Sequence, residues 1–234
     1  MFGKKQKGKI SNSLEIVSMH IPKTAGTSFR NMLKDHFGEE NAVRLDINNT
    51  TKRIDVENKI FSLNKLPKNI KVIHGHFYYF DLVDLFDLNE NVKIITCLRN
   101  PVERVISNYF YLSKRLKEEL DEEKKGLNIL AKMQKSLIEY ARNDISRNRM
   151  YKFLEGADLK KFYFIGFHEN YNTDMAKFAN LIGINNFAIY KHNITGKKEK
   201  VDEDIINEIE ELNSLDIEIY KQAMEIKNHE KQKK

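Results

Sequence analysis

The chain has 234 residues, 41% hydrophobic and 32% charged, with 40 Lys and Arg against 34 Asp and Glu, a formal net charge of +6 and a pI near 9.1. That length suits one domain with a sizeable core, and no apolar run is long enough to predict a membrane-spanning helix. The single Cys97 excludes an internal disulfide framework and a cysteine-based zinc site.

The start, MFGKKQKGKI, is basic and lacks the apolar stretch of a signal peptide. Residues 1–12 and 227–234 read as solvated basic tails, and their lysines inflate the net charge. The expectation is a cytoplasmic protein, or one peripheral to a membrane. Residues 14–21, 70–77 and 92–98 are short apolar runs rich in Ile and Val, and 162–167 is aromatic and β-branched. Such runs suit parallel strands covered on both faces. Helical periodicity alternates with them at 28–37, 101–116, 172–182 and 202–226. Residues 113–150, long and charged, read as a helical insertion beside the sheet, either over a substrate cleft or as a solvated hairpin. The alternation predicts a single α/β domain over 1–234, with a central mostly parallel sheet, helices on both faces and that insertion.

At the first strand-to-helix junction stands HIPKTAGTSF. Free backbone N–H groups and a helix dipole of roughly +0.5 charge make such a junction a cradle for phosphate or sulfate. Gly26 lets backbone approach an anion, Thr24, Thr27 and Ser28 offer hydroxyls, and Lys23 adds a full charge. A Walker loop places its lysine after the last glycine, whereas Lys23 precedes Gly26, so ATP hydrolysis is disfavoured. An ordinary turn capped by Thr27 or Ser28 is the plain alternative. In KIITCLRNPVERVISNYFYL a strand ends at Arg99, Asn100 can cap the next helix, Pro101 suits its first position, and Ser107 follows two turns along. Arg99 thus stands at the carboxyl end of a strand, where open α/β sheets bind ligands, with a fork suited to a second phosphate.

With PKTAGTS and LRNPVERVISNYFY together, the chain resembles sulfotransferases that use 3′-phosphoadenosine 5′-phosphosulfate (PAPS), above all the carbohydrate branch containing the heparan sulfate and chondroitin enzymes. FYFIGFHENY, NRMYKFLEG and NEIEELNSLDIEIYKQA resemble later segments of that family, so the likeness spans residues 14–225. It implies that Lys23, Thr24, Ala25, Gly26, Thr27 and Ser28 surround the 5′-phosphosulfate and that Arg99 and Ser107 hold the 3′-phosphate. It further implies a P-loop-like three-layer α/β fold and transfer of a sulfuryl group from PAPS to a hydroxyl, leaving PAP, without a metal. The acceptor it implies is a glycan or glycolipid.

Transfer to an alcohol needs a base, and histidine titrates near working pH. In VIHGHFYYF, His74 and His76 are two apart at a strand end and share a face. The segment resembles the His-Gly-His of glycosaminoglycan 2-O-sulfotransferases, which implies a histidine base: His76 is favoured, with His74 as an orienting or substrate contact. Packed strand-end histidines are the alternative reading. His20 is expected to pack structurally, His168 to border the nucleotide, and Cys97 to be buried filler. Arg142, Arg147 and Arg149 are read either as a contact for an acidic sugar or as a solvated face. Two further readings stay open: a nucleotide kinase or NTPase with a degenerate loop, and a non-catalytic binder of anionic glycans. No nucleic-acid motif is present. Acceptor specificity is expected in 38–68 and 113–150.

Overall fold

The computed structural model describes residues 9–121, 135–184 and 200–232. A seven-stranded sheet has the order β4-β3-β2-β5-β1-β6-β7. The central strand, β1 (Ile16–Met19), lies between β5 (Val72–Gly75) and β6 (Lys93–Leu98), parallel to both. Parallel pairing extends outward to β2 (Ala42–Ile47) and to β7 (Phe164–Phe167). Beyond β2, the short β3 (Ile54–Val56) and β4 (Lys59–Phe61) are antiparallel. The mostly parallel sheet is as the sequence predicts. The β2–β4 edge was not foreseen, because β2 carries Arg44 and Asp46 between its apolar residues and the other two strands are only three residues long.

Helices cover both faces. On one, α1 (Gly26–Phe37) and α6 (Tyr171–Leu181) bury Phe29, Met32, Leu33, Met175 and Phe178 against Ile16, Val72 and Ile95. On the other, α2 (Tyr79–Leu85), α5 (Arg149–Leu154) and α8 (Ser214–Gln232) cover Val17, Met19 and Ile73. Each such side chain, fully buried, contributes about 1.5–3 kcal/mol, which is what fixes the strand faces. A smaller cluster joins α3 (Pro101–Asp121), α4 (Leu137–Ala141) and α7 (Glu203–Leu212) through Val105, Leu137, Ala141 and Ile209.

Four boundaries differ from expectation. The stretch 202–226 is two helices, α7 and α8, parted at Asn213, whose side chain donates to Ile209 O and accepts from Asn148 N. The expected tail from 227 is the end of α8, and Lys227 is buried there, bonded to Asp174 at 2.6 Å with its Nζ 4.6 Å from the Phe167 ring centre. At the other end Ile10 is buried and its N–H reaches Leu85 O. The expected insertion 113–150 is in part the continuation of α3 and in part α4, which opens with a Ser136–Glu139 capping box. Its last two residues, Arg149 and Met150, begin the core helix α5, and 122–134 lie outside the described residues.

Chain direction sets where a ligand can sit. The connection after β1 leads towards β2, and the connection after β6 leads towards β7 on the opposite side. The carboxyl ends of β1 and β6 therefore form a topological switch point, where loops part and leave a crevice.

Candidate active site

The loop after β1 occupies that crevice. Lys23 and Ala25 both adopt left-handed backbone, with φ 72° and 76°. Neither is glycine, so each costs roughly 1–2 kcal/mol. Ala25 is the N-cap of α1 and makes no side-chain cap bond, so neither Thr27 nor Ser28 caps this helix. Two left-handed residues flanking Thr24, followed by a helix start without a side-chain cap, are a backbone arrangement suited to an anion. Thr24 is buried and its hydroxyl donates to Ile21 O at 2.8 Å, closing the loop. Thr27 is exposed and Ser28 half-buried. A Cβ on Gly26 would lie 2.0 Å from Nε2 of His20, so here glycine makes room for an imidazole.

Arg99 ends β6 beside this loop. Its Nη1 donates to Lys23 O at 3.3 Å, and its Nη2 lies 3.4 Å from Glu103. The side chain is buried, and its Nε has no hydrogen-bond partner among the described residues. A buried guanidinium N–H left over in this way is a donor awaiting an acceptor. Lys23 Nζ stands 4.1 Å from the centre of the Tyr111 ring on α3. Burial, reinforced by Arg99, lowers the Lys23 pKa from its ordinary value. Ser107 is half-buried on the second turn of α3. Loop and arginine are thus brought together, and their cationic and N–H donors fit an anionic nucleotide, with Arg99 Nε unpartnered among the described residues and the Glu103 carboxylate beside Arg99.

Three histidines line the other side. His20 follows β1, and His74 and His76 lie in and just after β5; the His20 ring centre is 5.1 Å from that of His74 and 4.7 Å from that of His76. Their packing follows from register, since Met19 pairs with Gly75. His74 is buried, 2.8 Å from the Ser18 hydroxyl through Nδ1, and burial with the neighbouring His76 holds it down to about 3. His20 is lowered as well, by burial and then by the two other histidines. His76 differs, being 37% exposed and bonded through Nδ1 to Asp46 Oδ1 at 3.0 Å. That oxygen also accepts the His76 backbone N–H at 2.9 Å, while Arg44 Nε donates to Oδ2 at 2.6 Å. Partial burial would raise the Asp46 pKa, but the His76 bonds outweigh it and keep it well below the carboxylate range.

Sequence reasoning missed Asp46, Tyr111 and Glu169. Asp46 sits on a strand that was not recognised. Glu169 accepts Asn100 N at 2.6 Å and the Tyr220 hydroxyl at 3.1 Å, tying α8 to the start of α3. Asp216 accepts Tyr151 N and pairs with buried Arg104, so the C-terminal motif residues act as braces. His168 lies in a turn after β7, and Cys97 is buried with its thiol pushed up to about 12 by burial. Arg142 pairs with Glu208, Arg147 with Asp144, and Arg149 bonds Ile145 O; each is engaged within the chain.

A sequence model described as the sulfotransferase family matches residues 8–222. The chain belongs to the sulfotransferase family. Heparan sulfate 2-O-sulfotransferase 1 of Cricetulus griseus is 31% identical over 125 residues, 48% of this chain and 33% of that protein. The Homo sapiens protein of the same name is 30% identical over the same length and shares. The matched region thus spans about a third of the length of these curated relatives. Mouse sulfotransferase SULT7A1, solved in complex with PAP, superposes with a TM-score of 0.46 at 13% identity, covering 88% of this chain and 66% of that one. The resemblance to the carbohydrate branch read from the sequence agrees with the curated relatives.

Proposed function

We propose that this sulfotransferase-family chain moves a sulfuryl group from PAPS to a hydroxyl of a carbohydrate or glycolipid acceptor. The observation that carries the reading is the bond from Arg99 to the Lys23 carbonyl at the switch point, which supports treating the two candidate anion-binding junctions as parts of one site. Lys23 and the loop 24–28 would hold the phosphosulfate end, and Arg99 with Ser107 the 3′-phosphate end. PAPS supplies an activated sulfuryl group on a phosphate leaving group.

His76 Nε2 takes the acceptor hydroxyl proton as the acceptor oxygen bonds to sulfur. The bond from sulfur to the bridging phosphate oxygen breaks, and its electron pair leaves with the phosphate. Lys23 neutralises that charge, and its lowered pKa suits it to hand over a proton there. His74, buried against Ser18, serves as a packing and orienting neighbour and not as the base. A glycan acceptor follows the names of the curated relatives.

The test is incubation with radiolabelled PAPS and a panel of glycans and glycolipids. Wild type should label at least one acceptor, Lys23→Ala should lower turnover roughly 10²–10³-fold, and His76→Ala roughly 10²–10⁴-fold. Thermal stabilisation by PAP but not by Mg-ATP is expected, and Arg99→Ala should weaken PAP binding about 10–100-fold. Stabilisation by Mg-ATP alone, with no labelled acceptor, would overturn the reading.

A further inference from the structure

A neutral imidazole carries its one proton on either nitrogen, and only the form protonated at Nδ1 leaves Nε2 as a base. In this chain the choice is made by β2, an edge-side strand remote in sequence from the HGH segment. Asp46 Oδ1 faces Nδ1 of His76 at 3.0 Å and simultaneously takes the His76 backbone N–H at 2.9 Å. Its other oxygen is fixed by Arg44 Nε at 2.6 Å. We propose that Asp46 is the positioning residue of the transfer reaction, holding His76 as the Nδ1–H tautomer with Nε2 directed to the acceptor hydroxyl and balancing the imidazolium formed when that proton arrives. This inference rests on the reading of His76 as base.

Three features carry it beyond a simple surface pair. The carboxylate binds both the ring and the backbone of the same residue, so ring orientation is fixed relative to the strand end. A Cβ on Gly75 would strike Leu45 O at 1.7 Å, so β2 and β5 approach here as closely as backbone allows, and the Asp46 position follows from that approach. The other charged or titratable groups around His76 are His20, His74 and Arg44, with Arg30 of α1 acting on His74; burial lowers both histidines, so Asp46 is the anion among them. Arg44 in turn is placed by its backbone N–H, which donates to Glu57 Oε1 at 2.6 Å.

The tautomer is read by long-range proton–nitrogen NMR of the imidazoles, with His76 assigned by its loss in His76→Ala. Wild type should show His76 protonated at Nδ1, and Asp46→Asn should move it to Nε2–H or a mixture, because the new amide N–H₂ must face either Arg44 or His76. In the transfer assay Asp46→Asn should lower kcat at least about 10²-fold while the donor KM and PAP stabilisation stay at wild-type values. A purely structural role would lower stability and leave the tautomer and the kcat-to-KM pattern alone. An Nε2–H His76 in the wild type overturns the proposal, as does an Asp46→Asn variant that keeps the tautomer or the wild-type kcat. Absence of transfer by the wild type would instead count against sulfotransfer, and the tautomer would still decide the role of Asp46.

Discussion

Lys23 and Ala25 hold a backbone conformation that glycine tolerates best, next to a glycine that is spent on another task. The cost is local strain at the anion loop, a location where strain commonly serves preorganisation. Ala25→Gly should therefore relieve strain, offset in part by the entropy glycine loses on folding, for a net gain of about 0.5–1 kcal/mol. For a chain of this size that is a rise in Tm of about 1–4 °C, read by calorimetry; a fall in Tm would show that the loop is not strained. Cys97 offers a simpler check. It is buried with its thiol pushed up to about 12, so a thiol reagent should label it only in denaturant, and rapid labelling of the folded protein would contradict its placement.

Glu57 and Gly75 show how separate pieces of chain are held in position. Glu57 and Asn58 form the β3–β4 turn with φ 46° and 63°, and Glu57 binds Arg30 and Lys34 of α1 as well as the Arg44 backbone. Glu57→Ala should cost about 1–2 kcal/mol, most of it from loss of the acceptor for the Arg44 backbone N–H since the ion pairs are partly exposed. Urea midpoints would measure this, and an unchanged midpoint would remove Glu57 as a tie. Gly75→Ala has no such graded outcome, because the obstacle is the Leu45 carbonyl; a loss above about 3 kcal/mol is expected, and wild-type stability would refute the close approach. The same residues mark the limit of legibility. β1, β5, β6 and β7 were visible as apolar runs because both faces of each are covered, and the two candidate ligand loops stood out because anion chemistry needs small and basic residues at strand ends. β2 was not, since Arg44 and Asp46 interrupt its pattern to serve the site, and so the partner of His76 was hidden with it. Lys227 was misread for a related reason: a lysine in a charged run looks solvated until Asp174, 53 residues away, is brought beside it.

Acid should loosen the entire domain through its histidines. His74 is held near 3 and His20 is lowered too, against an unfolded value of about 6.5, so below that value the unfolded chain binds more protons. Their contribution is intact above about pH 6.5 and is lost progressively as pH falls towards 3; for His74 the loss between pH 7.5 and 5.0 is about 2 kcal/mol. Asp46, held low, adds a loss of the same sign only below about pH 4. Urea midpoints at pH 7.5 and 5.0 test this, and a flat profile would mean the imidazoles are not kept neutral. The strand order has one more result. Asp46 lies in β2, and His76, Lys23, Arg99 and Glu169 follow β5, β1, β6 and β7; the five strands are successive rungs of the sheet. Parallel strands are spaced about 4.8 Å apart, so these five side chains are ruled off at a fixed pitch, the proposed proton acceptor towards one end and the proposed nucleotide clamp towards the other. Loop changes can alter what the rungs display, but the distance from the proposed base to the proposed clamp is set by peptide hydrogen bonds, and on those roles a new acceptor has to enter along the β2 side to meet that scale.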